Sequence, residues 1–63
     1  MVCILKMDGA EIAGWIIATD LDDARRQVPF DNRALGEMLD RMEFAPPPGK
    51  HVLPNGYVML VSQ

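Results

Sequence analysis

The chain has 63 residues, 49% of them hydrophobic and 24% charged, with a formal net charge of −3. This composition is ordinary for a globular domain and unlike a disordered chain, and its acidic balance disfavours sequence-independent nucleic-acid binding, which rests on neutralising phosphates with Lys and Arg. A single cysteine excludes an internal disulfide, Cys3 with the single His51 does not make a zinc site, and no apolar run is long enough to span a bilayer.

Residues 1–63 are read as one domain. A chain of this length buries only about 60% of the surface its unfolded form exposes, so its stability is marginal. With disulfides and metal set aside, association is the stabilising supplement left open.

The first eighteen residues organise the rest. Val2–Met7 and Ala10–Ala18 are rich in apolar and β-branched residues and flank Asp8-Gly9. Asp-Gly between two such runs predicts a β-hairpin with a two-residue type I′ turn. Counting outward pairs Met7 with Ala10, Lys6 with Glu11, Leu5 with Ile12, Ile4 with Ala13, Cys3 with Gly14 and Val2 with Trp15. Alternation then gives one wholly apolar face, Cys3, Leu5, Met7, Ala10, Ile12, Gly14, Ile16 and Ala18, which is the expected core face. The other face holds the Lys6–Glu11 pair near the turn and Val2, Ile4, Trp15 and Ile17 away from it. A one-residue slip would exchange the faces, so the assignment depends on the turn.

A two-turn helix follows. Asp20 is its N-cap, Asp22 and Asp23 stand in its first turn, and Arg25 and Arg26 lie towards its other end. Leu21, Ala24 and Val28 share one stripe, and Pro29 disfavours helical geometry at Val28. A second helix has Asp31 as N-cap, with Phe30 and Leu35 spaced as a hydrophobic staple. Ala34, Leu35, Met38, Leu39 and Met42 form its apolar stripe, opposite Arg33, Glu37, Asp40 and Arg41. Arg33–Glu37 and Glu37–Arg41 have ion-pair spacing, and Gly36 costs about 1 kcal/mol against Ala unless another backbone approaches closely.

Ala45-Pro46-Pro47-Pro48-Gly49 ends this helix, and residues 46–49 form a proline-rich connector that favours polyproline II geometry. Lys50–Leu53 and Tyr57–Gln63 around Pro54-Asn55-Gly56 predict a second hairpin on a type I turn followed by a left-handed residue. The order is β-β-α-α-(β)-β. The expected fold is therefore α+β: an antiparallel sheet of three or four strands with two helices packed on one face.

Chemistry-bearing residues have plain structural readings. Asp20, Asp22 and Asp23 lack the spacing and distal Glu of a calcium loop, and helix capping accounts for them. Cys3 on a core-facing strand behaves as a small hydrophobe. His51 is read as solvent-exposed. The methionines are read as flexible core packing. No phosphate loop, nucleophile–base pair or metal-ligand spacing is present, so no catalytic residue, metal or cofactor is expected.

Two functional readings follow. The helix stripes cover only one sheet face, which leaves Val2, Ile4, Trp15 and Ile17 as an interface for a protein partner or a homodimer. The alternative is a small regulatory nucleic-acid binder using Arg25, Arg26, Arg33 and Lys50 as an anion patch, with Tyr57 as a stacking surface. Membrane partners are not expected, and the absence of a signal-peptide pattern with a free cysteine suggests the cytoplasm. After the proline connector, Tyr57–Val61 is also a candidate for exchange between chains.

Overall fold

Two antiparallel hairpins make the sheet, and the helical segment between them crosses one of its faces. The computed structural model describes residues 1–29, 31–42 and 46–62. Among these, the elements in chain order are β1 (Val2–Asp8), β2 (Glu11–Ala18), α1 (Leu21–Gln27), α2 (Arg33–Asp40), β3 (Gly49–Val52) and β4 (Tyr57–Val61). The strand order is β2-β1-β4-β3, with every neighbouring pair antiparallel. This is a small α+β domain with four strands.

The first hairpin forms where the sequence predicts it, but in another register. Asp8 pairs with Glu11, so Gly9 and Ala10 are the turn residues. Gly9 has φ +62°, whereas Ala10 does not enter the positive-φ region. Positive φ at the first central residue alone marks a type II′ turn, which needs glycine first. A type I′ turn at Asp8-Gly9 would instead require positive φ at a residue bearing a Cβ. A β-bulge then places one extra residue of β2, Ala13, between the Met7–Ile12 and Lys6–Gly14 pairs. Beyond it Leu5 faces Trp15, Ile4 faces Ile16, Cys3 faces Ile17 and Val2 faces Ala18.

The faces of β1 are thereby inverted relative to the expectation. Val2 and Ile4 are 5% and 2% exposed and lie in the core, while Cys3, Leu5 and Met7 project to the other side. For β2 the expectation holds at Gly14, Ile16 and Ala18, which share the core face, and at Trp15 and Ile17, which do not. The core joins Val2, Ile4, Ala18, Tyr57 and Met59 of the sheet to Leu21, Ala24, Leu35 and Leu39 of the helices. Lys6 now faces Gly14, so the expected Lys6–Glu11 pair does not form.

Helix α1 begins as expected. The Asp20 side chain accepts from the Asp23 backbone N–H at 2.7 Å, and Val28 ahead of Pro29 leaves helical geometry. Asp23 in turn accepts from the Thr19 backbone N–H at 3.0 Å, and that bond is the leading cause holding its carboxyl below the usual aspartate range. Helix α2 is capped one residue later than expected. Asn32 is its N-cap, accepting from the Leu35 backbone N–H at 3.2 Å, while Asp31 stands exposed outside the helix. Asn32 also donates to the Tyr57 hydroxyl at 2.8 Å, a tertiary bond that Asp31 is not placed to make. The staple involving Phe30 falls outside the described residues. On the stripe, Leu35 and Leu39 are buried and Met38 and Met42 pack at the core margin, but Ala34 is exposed.

The second hairpin closes on a turn with φ +62° at Asn55, the second central residue, which marks type II rather than the expected type I. Gly56 follows with φ +81°, and a Cβ there would stand 3.1 Å from the Met7 carbonyl oxygen. Strand β4 lies against β1 of its own chain, from Val2–Val61 to Lys6–Tyr57. Tyr57–Val61, the candidate for exchange between chains, pairs in this structure with the first hairpin of its own chain. His51 is half-buried rather than solvent-exposed, with Nε2 2.7 Å from the Pro47 carbonyl oxygen. A carbonyl only accepts, so that ring nitrogen carries the proton.

Candidate interaction surface

Both helices lie on the Val2/Ile4/Met59 side of the sheet, and the opposite side is uncovered by any described element. Its composition can be read from the pairing across all four strands, because directly opposed residues project to the same face. One row runs Ile17, Cys3, Leu60, Lys50 from β2 to β3. The next runs Trp15, Leu5, Val58, Val52, and past the bulge Ile12 and Met7 extend it. Among these ten residues Lys50 alone carries a charge.

The open face is proud at its margins and shallower in the middle. Trp15 and Ile17 on edge strand β2 are 66% and 55% exposed, Ile12 is 53% exposed, and Val52 on edge strand β3 is 78% exposed. On the central strands Leu60 is 40% exposed, and Cys3, Leu5, Met7 and Val58 are half-buried by their neighbours. Isolated exposed apolar side chains are normal, but a contiguous sheet of them is not.

The sequence-predicted interface is therefore half present. Trp15 and Ile17 stand on the open face, whereas Val2 and Ile4 are buried beneath the helices. Cys3, Leu5, Leu60 and Val52 take their places on the open face. The alternation of β1 was in the sequence, but the bulge at Ala13, which moves Cys3 and Leu5 onto the face of Trp15 and Ile17, was not. Leu60 and Val52 required the strand order.

Of the basic residues, Arg25 and Arg33 share one groove, whereas Lys50 lies on the other side of the sheet. Arg25 is turned inward: Nε and Nη2 donate to the Leu39 carbonyl at 3.2 and 2.9 Å, Nη2 also donates to the Met42 carbonyl at 2.8 Å, and Nη1 pairs with Asp22 at 2.7 Å. It thus adds donors to the carbonyls at the end of α2, where the Leu39 oxygen also accepts from the Met42 backbone N–H, and it favourably meets the negative end of the helix dipole. Arg26 is exposed and contacts Asp23 at 3.5 Å. Arg33 borders a shallow groove between α1 and α2 that Arg25 also lines, together with the acidic Glu37 and Asp40. Lys50 lies on the open side of the sheet, away from the helices. Tyr57 is buried and hydrogen-bonded to Asn32, so it offers no exposed stacking surface.

The three aspartates before and within α1 are each engaged, Asp20 as cap, Asp22 with Arg25, and Asp23 with Thr19 and Gln27. Among the described residues no three His, Cys, Asp or Glu side chains gather as a potential metal site, and no helix is long and apolar enough to cross a membrane. A cleft of about 220 Å³ lies on the helix side, walled by Ile4, Ile16, Leu35 and Tyr57 and edged by Lys6 and Asn32. Its polar groups offer no nucleophile with an adjacent base. No protein-family model, curated protein or solved structure matches the chain.

Proposed function

We propose that this chain is a non-enzymatic interaction module that works in an assembly through the open face of its sheet. The observation that carries the reading is the pair of cross-strand rows Ile17/Cys3/Leu60/Lys50 and Trp15/Leu5/Val58/Val52. They are apolar from edge to edge except at one corner, and no described element covers them. Contiguous apolar patches of several hundred Å² mark interaction sites on soluble domains. Trp15 is the expected anchor, because a large rigid aromatic that becomes desolvated contributes most at an interface centre or pocket. The free thiol of Cys3 suits a reducing, cytoplasmic setting.

The test is site-specific photo-crosslinking in the cells that produce the chain. A photoreactive residue at Leu60 is expected to give discrete adducts, and the same residue at Glu37, on the solvent side of α2, is expected to give none. Absence of discrete adducts from position 60 would overturn the reading.

A further inference from the structure

We infer that the occupant of the open face is a second copy of this chain, packed sheet on sheet about a twofold axis that runs along the strands. The inference rests on the interaction reading above and names its partner.

The first argument is area. The folded chain exposes 4523 Å² in total. Five side chains on the open face are each at least 40% exposed, and with the half-buried ones between them they present roughly 500–700 Å² of apolar surface per copy. Two copies face to face would remove on the order of 1,000–1,400 Å², which reaches the size of specific interfaces and exceeds ordinary packing contacts. A small partner segment laid across the sheet would cover only part of the two rows.

The second argument is chemistry. Besides the Lys50 ammonium, the only polar side-chain groups in its two rows are the Trp15 indole N–H and the weakly donating Cys3 thiol, so it selects an occupant that is largely apolar and asks for no charge pairs. Its own copy meets that requirement. A 63-residue domain with a single small core also gains most from adding a second layer to its sheet.

The third argument fixes the arrangement. Twisted sheets stack about 10 Å apart, with strands inclined by roughly 30°. A twofold along the strands lays β2 of one copy over β3 of the other. Trp15, the largest side chain on the face, then meets Val52, a small and highly exposed one, and Leu5 meets Val58 at the centre. Lys50 lies over the outer margin near Ile17, where its ammonium reaches solvent past the sheet edge. A twofold across the strands would lay β3 on β3 and β2 on β2. Both Lys50 ammonium groups would then share one edge, the bulky Trp15 and Ile17 of both copies would collide at the other, and the Val52 edge would be left underfilled.

The test is the solution mass of the purified chain, by light scattering and sedimentation, over a concentration series up to millimolar. Trp15 fluorescence and the rate of Cys3 alkylation are read on the same samples. Expected are twice the 7.0 kDa chain mass at high concentration, a blue shift of Trp15 emission on association, and slower alkylation of Cys3 in the dimer. Trp15→Glu and Val52→Glu should each raise the dissociation constant by about a hundredfold or more, the scale of losing a packed hot-spot contact. Val52 lies on a short edge strand, so its variant keeps the test meaningful should Trp15→Glu disturb folding, and circular dichroism verifies both. A monomer throughout would overturn the inference, as would a dimer indifferent to both substitutions. A dimer lost in Trp15→Glu but intact in Val52→Glu would overturn the β2-over-β3 arrangement. A monomeric purified chain that still gives a heavier discrete adduct from position 60 in cells would refute self-association while leaving the interaction reading standing.

Discussion

Arg25 shows how a residue's role is decided by what its side chain reaches. In the sequence it is one of two adjacent arginines near a helix end, and both have the same claim to an anion patch. In the structure its guanidinium makes three hydrogen bonds to the Leu39 and Met42 carbonyls and pairs with Asp22, while Arg26 has one long contact in solvent. Charge-assisted bonds to partly buried carbonyls are worth more than an exposed ion pair. Arg25→Met should therefore lower unfolding stability by about 1–3 kcal/mol, and Arg26→Met by less than about 0.5 kcal/mol. Urea denaturation of the two variants checks the contrast, and equal losses would contradict it.

The elements respond to substitution in opposite senses at two glycines. Gly36 lies inside α2, and a Cβ there would meet only Val28 Cγ1 at 4.0 Å, so no close backbone approach requires the glycine. Gly36→Ala should stabilise the domain by up to about 1 kcal/mol through helix propensity. Gly56 has φ +81° and the Met7 carbonyl close by, where a side chain is both strained and crowded. Gly56→Ala should cost about 1–2 kcal/mol and loosen the junction of the second hairpin with β1. Thermal unfolding of both variants separates them by sign. The sequence marks both glycines, but only the backbone conformation tells which one the fold needs.

For the whole molecule, both helices pack on one side of the sheet, and no described element covers the other. Binding that occurs only in the folded state stabilises that state by mass action. If the occupant is a second copy, the unfolding midpoint should rise with protein concentration, and Val52→Glu should flatten that dependence. Calorimetry over a concentration series measures both, and a midpoint independent of concentration in the unsubstituted chain would speak against association of folded copies.

The elements and their order were legible in the sequence because their causes are local. Asp20 caps α1, Pro29 ends it, the spacing of Leu35 and Leu39 sets the buried stripe of α2, and turn residues mark both hairpins. The existence of an uncovered, Trp15-bearing face also followed by counting helices against sheet faces. Tertiary structure decided the register of the first hairpin, and with it the membership of that face. A Gly9-Ala10 turn and a bulge at Ala13 together shift the pairing, and the strands then settle in the register that buries Val2 and Ile4 against the helices. Side chains alternate with period two, so this register change exchanges every residue of β1 between core and open face while the strand itself stays where the sequence puts it. The strand order, the capture of Arg25 by the end of α2 and the Asn32–Tyr57 bond were likewise beyond local reading. Each joins residues far apart in the chain, and only packing brings them into contact.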